Sequence, residues 1–566
     1  MSDKNNAVTK SSAIKSILPT CDEVVYKATD NYLATINPLN RPLHFVILRE
    51  LLEETRIELG TLNTARAKGD KIKLPNRLDV WQIARVISYL YHVRRIAGAG
   101  LESNTEYDLV AIYQEDGPDE GTYVTNDDVF RKIARQYDLK ISTREFAEMM
   151  VILGDLSPRV TRCSDPNLIA VNNGIFDYTS KKLLPFSPDY VFTSKSQVNY
   201  NPAAVNINIH NPKDNTDWDV ESWMHTLSDD DDVVNLLWEI LGAIIRPNVP
   251  WNKSAWFYSE AGNNGKGTLC ELMRQLCGEG SYATIKLSDM GKDFALEPLI
   301  HTTAIIVDEN DVGTFIDKAA NLKALVTGDV VPINRKFKQA IAYRFRGFMV
   351  QCLNEMPRVK DKSDSFYRRQ LFVPFTKCFT GKERKYIKED YLKRREVLEY
   401  VLKRVLEMNY DNLSEPKACI DVLEEYKEFN DPVREFWMEM KDEFAWEFLP
   451  YSFLFDLYQS WYRRNVPTGS ICSDKTFFKE IKILADASGE WTYTKKDAVR
   501  PSNKMDAPEL LIKEYGLRNW MNMRFAGTTD ITKLCTLDKD YIRYIKYKGL
   551  VRTTPKIRQS EEDDEE

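Results

Sequence analysis

Three kinds of domain are predicted in this chain: a mainly α N-terminal domain, an α/β domain built around a phosphate-binding loop, and a C-terminal winged-helix-like domain. Three observations predict this. Residues 79–92, DVWQIARVISYLYH, repeat apolar side chains at helical spacing. From 254 to 376 short apolar runs alternate with helical segments, and the first run ends in a glycine-rich loop. Residues 451–560 then carry 20 Lys+Arg against 12 Asp+Glu, in a chain whose net charge is −7. A length of 566 residues leaves room for three or four domains.

Residues 1–20 are polar and read as disordered. Residues 21–210 form the N-terminal domain. Val80, Ile83, Val86, Ile87, Leu90 and Tyr91 share one helical face, and 45–59 show a similar stripe. Within this domain, 165–205 break into short apolar runs separated by Asn-Gly, Ser and Pro, the pattern of strands and turns. Residues 211–385 form the phosphate-loop domain. Its lead-in, 211–231, reads as a linker and a capped helix that runs on through VVNLLWEILGAII. Strand candidates follow at 254–259, 303–309, 347–353 and 370–375. Residues 386–449 are a charged helical connector. In 450–559, PYSFLFDLYQSWYRRN reads as one helix, Ser473 caps a second, and WTYTKK at 491–496 alternates like a wing strand. Residues 560–566 are an acidic tail.

Composition excludes several classes. No apolar run approaches the roughly 20 residues that span a bilayer, and the N-terminus lacks the apolar core of a signal peptide. The nine cysteines form no CxxC pair and the five histidines no HxxxH or HExxH, so no zinc site is expected. Cys270 and Cys277 read as buried small side chains. A reduced, cytoplasmic protein follows.

The chemistry centres on FYSEAGNNGKGTL, 257–269. Small residues let backbone N–H groups close around phosphate oxygens, and a helix N-terminus adds positive potential. Gly262, Asn263, Asn264, Gly265, Lys266, Gly267 and Thr268 are the predicted nucleotide contacts, with Lys266 reaching the β- and γ-phosphates. Against the pattern GxxxxGK[ST], Glu260 replaces the first Gly and Gly267 the Ser/Thr, so Thr268 is taken as the Mg²⁺ ligand. TTAIIVDEND delivers Asp308 and Glu309 at a strand end, Asp308 for Mg²⁺ and Glu309 to activate water. GFMVQCLNEMP ends in Asn354, placed to orient water or sense the γ-phosphate. SFYRRQLFVPF presents Arg368 and Arg369 before a strand, where a positive finger from a neighbouring subunit would stabilise transferring phosphoryl charge.

This ordered set resembles superfamily 3 helicases, an AAA+-like group, and among them the helicase half of phage and plasmid primase–helicases. The resemblance spans roughly 100–380: NNGKGT, IIVDEN, LVTGDVVPINRKFKQAIAYRFRG, LNEMP, YRRQLFVPF and, upstream, IAVNNGIFDYTSKKLLPFSPDYVFTSKSQVNYNP. Size and the basic C-terminal region are also similar to replication initiators of staphylococcal pathogenicity islands. The resemblance implies a hexameric ring, ATP and Mg²⁺ between subunits, 3′→5′ translocation on single-stranded DNA, and initiation at an origin in duplex DNA. No primase half is expected, because the first 160 residues show neither a metal-binding DxD on a clear strand nor zinc cysteines.

Two DNA contacts are predicted. Val330–Asn334 and Ala340–Phe345 read as a hairpin whose turn carries Arg335, Lys336, Phe337 and Lys338, lining the pore of the ring; an edge-protecting hairpin is the alternative. Lys475, Lys479 and Lys482 are spaced at i, i+4 and i+7, one helical face able to enter a major groove, with a nonspecific basic clamp as the alternative. Two other functions use the same motifs: an ATPase remodelling protein, and an origin-binding module without catalysis. The basic hairpin argues against the first, and intact Lys266, Asp308, Glu309, Asn354 and Arg368 against the second.

Overall fold

The computed structural model describes residues 18–336, 338–465, 471–494, 497–538 and 544–553. They fall into two compact units. The first comprises the chain up to 355 together with 368–419, and the second comprises 356–367 and the chain from 420 onward.

The first unit begins with α1 (Cys21–Ala34), α2 (His44–Thr64) and α3 (Val80–Leu90). Capping boxes start α1 at Thr20/Glu23 and α3 at Asp79/Gln82. Gln82 also ties the bundle together from inside, its amide donating to the hydroxyls of Thr29 and Thr55 at 3.0 Å each. The sequence reading of 22–160 as mainly helical misses a four-stranded sheet. This sheet holds β1 (Val93–Ala97), β2 (Leu109–Tyr113), β3 (Tyr123–Val124) and, after α4 (Asp127–Tyr137) and α5 (Thr143–Leu156), β4 (Arg159–Thr161). Its order is β3-β2-β1-β4, with only β1–β4 parallel. Helices still dominate this N-terminal region.

Next comes an antiparallel meander, β5 (Leu168–Val171), β6 (Gly174–Asp177) and β7 (Lys182–Leu184), where strands and turns were expected. Its first turn requires glycine: Gly174 has φ +153°, and a Cβ there would lie 2.4 Å from the Leu184 carbonyl oxygen. The stretch expected as a linker and one long helix is instead a small hairpin, β8 (Ile209–Asn211) and β9 (Thr216–Trp218), and two helices. Asp219 caps α6 (Val220–His225) and Asp230 caps α7 (Asp231–Ile245), so a second cap breaks the run. Twelve of the fifteen residues of α7 are buried, and it serves as a core helix rather than a surface one.

Against α7 packs a five-stranded parallel sheet: β10 (Ser254–Tyr258), β11 (Tyr282–Ala283), β12 (Ala304–Val307), β15 (Phe348–Leu353) and β16 (Gln370–Pro374), in the order β11-β12-β15-β10-β16. Its strands are buried end to end at Ala304–Val307 and Phe348–Leu353, as parallel strands covered on both faces must be. Helix α8 (Lys266–Cys277) follows β10. Between β12 and β15 lie α9 (Ala319–Thr327) and a hairpin of β13 (Val330–Arg335) and β14 (Lys338–Arg344). After β16 come α10 (Lys385–Glu389) and α11 (Arg395–Glu407). Cys270 and Cys277 are buried, as expected.

The second unit packs α12 (Pro432–Met440), α13 (Tyr451–Asn465) and α14 (Asp474–Ser488) with an antiparallel sheet of β17 (Phe448–Pro450), β18 (Trp491–Tyr493) and β19 (Gly549–Arg552), β19 in the middle. Trp437, Trp446, Trp461 and Trp491 are all fully buried in its aromatic core. Ser473 caps α14 as expected, accepting from the Thr476 N–H. Residues 495–496 of the expected wing and the acidic tail lie outside the described residues.

Candidate functional site

The glycine-rich loop leaves the C-terminal end of β10 and enters α8, where parallel sheets collect ligands. Gly265 stands at the helix N-cap with φ +91°, and a Cβ there would come within 2.6 Å of the Leu227 side chain. Asn264 is buried; its amide donates to the Ala261 carbonyl while its Oδ1 accepts from the Lys266 N–H at 3.2 Å. Asn263, at φ +53°, binds the segment beyond β16. Its carbonyl accepts from the Phe379 N–H at 2.8 Å and its amide donates to Glu383 at 3.1 Å. Gly262 is exposed; its carbonyl accepts from the Cys378 thiol at 4.0 Å, and the space a Cβ would take is open.

Lys266 is 5 % exposed. Its ammonium donates to the Leu353 carbonyl (2.8 Å), the Asn354 Oδ1 (2.8 Å) and the Ser259 carbonyl (3.2 Å), and burial lowers its pKa. Lys266 and Asn354, 88 residues apart, thus meet at the sheet edge. Asp308 and Glu309 follow β12, next to β15. Asp308 pairs with Arg274 of α8 at 3.1 Å. Burial would raise its carboxyl, but the Arg274 contact outweighs it and holds the pKa below the usual range. Glu309 is exposed. Thr268 lies in the first turn of α8, and its hydroxyl makes no hydrogen bond among the described residues.

Arg368 and Arg369 do not join this group. They precede β16, whose register with β10 sets Gln370 beside Ser254 and Pro374 beside Tyr258. The strands run parallel, so the arginines stand at the sheet end opposite the loop. Arg368 is exposed there.

Sequence reasoning overlooked three contributors. Arg274 gives no signal in LCELMRQLC. Asn310 is buried and pins the Asp308–Glu309 turn to β15, its amide reaching Gln351 Oε1 at 2.9 Å and the Cys352 carbonyl at 3.1 Å. Lys388 of α10 reaches the first turn of α8, its ammonium 3.8 Å from where a Cβ on Gly267 would stand. Beside the loop opens a cavity of about 520 Å³ lined by Trp223, Leu227, Phe379 and Ile387 with Thr268 at its edge.

The hairpin is present, its strands ending at Arg335 and resuming at Lys338; Phe337 lies outside the described residues. It leans on the N-terminal region. Lys338 pairs with Asp127 at 3.3 Å, the Gln339 amide donates to Glu106 at 2.9 Å, and Arg162 donates to the Arg344 carbonyl at 2.7 Å and stacks on Tyr343. The Arg335 guanidinium turns back onto the Gln339 carbonyl at 2.9 Å. In the second unit, Phe477, Ile481 and Ala485 of α14 face the core. Lys475 and Lys479 are exposed, whereas Lys482 is half-buried with its ammonium over the rings of Tyr451 and Tyr493, Tyr451 being part of that core. Ile483 of the same helix is 61 % exposed.

Among the described residues no helix is long and apolar enough to cross a membrane, and no group of three or more His, Cys, Asp or Glu could hold a metal. Residues 122–229 match a family described as D5 N terminal like, 428–520 one described as poxvirus D5 protein-like, and 257–369 a family of unknown function. No curated protein matches the chain. Among solved structures, two apo forms of the NrS-1 C-terminal region (305–718) are similar. One has 12 % identity over 84 % of this chain and 100 % of that one, with a TM-score of 0.41. The other has 13 % identity over 74 % and 97 %, with a TM-score of 0.39. The chain is therefore D5-like in two separate segments, with the glycine-rich loop between them.

Proposed function

We propose that this chain is an ATP-driven DNA helicase of the superfamily 3, AAA+-like kind, working as a hexamer in replication initiation. The carrying observation is the meeting of Lys266 and Asn354 at the C-terminal edge of a parallel sheet, beside the strand that delivers Asp308 and Glu309. The strand order, with the loop strand between the Asn354 strand and the arginine strand, supports the AAA+-like reading.

Chemistry follows from the groups present. The Lys266 ammonium exchanges carbonyl partners for phosphate oxygens, and the loop N–H groups and the α8 N-terminus take the remaining charge. The cavity of about 520 Å³ beside Thr268 suits the nucleoside, with Trp223 and Phe379 as apolar walls. Thr268 and Asp308 are the oxygen donors for Mg²⁺; Asp308 is 41 % exposed, and so few protein ligands suit an ion that keeps most of its waters. Bound there, Mg²⁺ would neutralise charge developing on the phosphate oxygens. Glu309 takes the proton of the attacking water, which Asn354 orients. Arg368 or Arg369 of an adjacent subunit supplies the finger. The hairpin carries single-stranded DNA, and the Lys475–Lys479–Lys482 face, on a winged-helix-like unit, reads origin duplex.

The deciding experiment measures ATP hydrolysis with and without single-stranded DNA, for the chain and for Lys266→Ala. Stimulation by DNA, lost in the variant while DNA binding persists, is expected. Near-normal hydrolysis by Lys266→Ala would remove the phosphate-loop assignment.

A further inference from the structure

We propose that Lys388 is a second phosphate-binding cation of the loop, supplied by the same chain and admitted by the glycine at 267. This deepens the ATP-site reading above and rests on it.

The argument starts from a gap. Where phosphate loops carry Ser or Thr after the lysine, this chain has Gly267. That gap is not open solvent: the Lys388 ammonium lies 3.8 Å from the position a Cβ would take. Any side chain longer than a methyl at 267 would compete with the ammonium for this space. Gly267 is the second residue of α8, where backbone N–H groups are free of helical partners and point toward an anion. A cation standing over that turn therefore adds to a field that already favours phosphate.

Lys388 is also held there by the chain around it. The segment after β16 is tied to the loop through Asn263, which bonds the Phe379 N–H, Thr380 and Glu383. Helix α10 begins two residues beyond Glu383 and buries Ile387 beside the same cavity that Thr268 and Gly265 line. With Ile387 inward, Lys388 is exposed on the neighbouring position and makes no ion pair among the described residues. Its ammonium stands over the first turn of α8, 3.8 Å from the Cβ position at Gly267. Lys266 approaches phosphate from the sheet edge, and Lys388 approaches from α10. The two cations bracket the chain of phosphates.

The test is equilibrium binding of fluorescent ATP and ADP analogues to the full chain, with Mg²⁺ and with EDTA. Lys388→Gln removes one charge-assisted hydrogen bond to phosphate and should weaken ATP binding by about tenfold. ADP should suffer less, the weakening should appear with and without Mg²⁺, and Lys388→Arg should recover part of the affinity. ATP affinity within about twofold of the parent for Lys388→Gln, while Lys266→Ala loses binding, overturns this proposal and leaves the site reading standing. Weakening seen only with Mg²⁺ also overturns it, because Lys388 would then act through the metal. Unaltered ATP binding by Lys266→Ala sinks the site reading and this proposal together. Lys388 is exposed, so its variants should melt at the parent temperature.

Discussion

Removing Arg368 should abolish hydrolysis in a way that only another subunit can repair. Register makes the case. Gln370 sits level with Ser254, four residues before the end of β10 at Tyr258. At roughly 3.3 Å per residue, the arginines lie about 13 Å or more from the edge where the loop begins. That exceeds the reach of an arginine side chain, so no rotamer brings Arg368 to its own chain's phosphates. In a head-to-tail ring each subunit presents one face to its neighbour's opposite face, so a residue out of reach of its own loop can serve the next subunit's. Arg368→Ala alone should then lower turnover by about a thousandfold or more, as should Lys266→Ala. Mixed in equal amounts, about one interface in four would pair an intact Lys266 with an intact finger. The assay is steady-state phosphate release across mixing ratios, with mixed assembly checked by native mass spectrometry. Recovery toward a quarter of parental activity is expected, greatest near equal mixing. Mixed rings with no recovery at any ratio would refute the geometry argument, and the same series with Arg369→Ala decides which arginine serves.

Three further outcomes follow from the same site and its two DNA surfaces. Glu309→Gln keeps shape but loses basicity, so ATP should bind normally while hydrolysis falls by about a hundredfold or more; lost nucleotide binding would make Glu309 structural. Lys336→Ala with Lys338→Ala should leave basal hydrolysis intact, end stimulation by single strands, and flatten the salt slope of binding by roughly 0.7 for each phosphate no longer neutralised. The Lys338–Asp127 pair is half exposed, so stability should change by less than about 1 kcal/mol, and unchanged unwinding would return the hairpin to edge protection. Replacing Lys475, Lys479 and Lys482 by Ala should erase preference for origin duplex and spare hydrolysis on single strands; equal discrimination before and after would move origin reading elsewhere. Substitution is the right perturbation here, because a truncation after residue 449 would strip Phe436 and Trp437 of the core they share with α13 and α14.

What could be read from the sequence follows how locally each feature is encoded. The stripe of α3, the meander after 165, the strand before each motif and the Ser473 cap are set by neighbours within a few residues, and they appear where expected. The N-terminal sheet is hidden because its strands carry no period: VRRIA holds two arginines, and β1 is completed by Arg159–Thr161 more than sixty residues later. Hairpin β8–β9 is hidden for a related reason, since only Ile209, Asn211 and Trp218 of its six residues are buried and the rest reads as a polar linker. The α6–α7 break turns on one aspartate among four in a row. The segment beyond β16 is the extreme case: GKERKYIKE looks like a solvated helix, and its bearing on the candidate site depends on hydrogen bonds to Asn263, 120 residues from Glu383.

The same locality bears on the two departures from the phosphate-loop pattern, Glu260 and Gly267. A glycine is indispensable only where the backbone enters the left-handed region or a Cβ has no room. Gly265 meets both conditions, with φ +91° and Leu227 2.6 Å from a Cβ. Asn263, the other left-handed position in the loop, is a residue type that tolerates it. Glu260 is not among the residues with positive φ, is exposed, and accepts from the Tyr258 hydroxyl at 3.0 Å. Nothing in the geometry asks for glycine there. At 267 the missing hydroxyl is accompanied by an ammonium over the same turn, with the Thr268 hydroxyl one residue on. The positions that differ from the pattern are those at which the fold imposes no cost for differing.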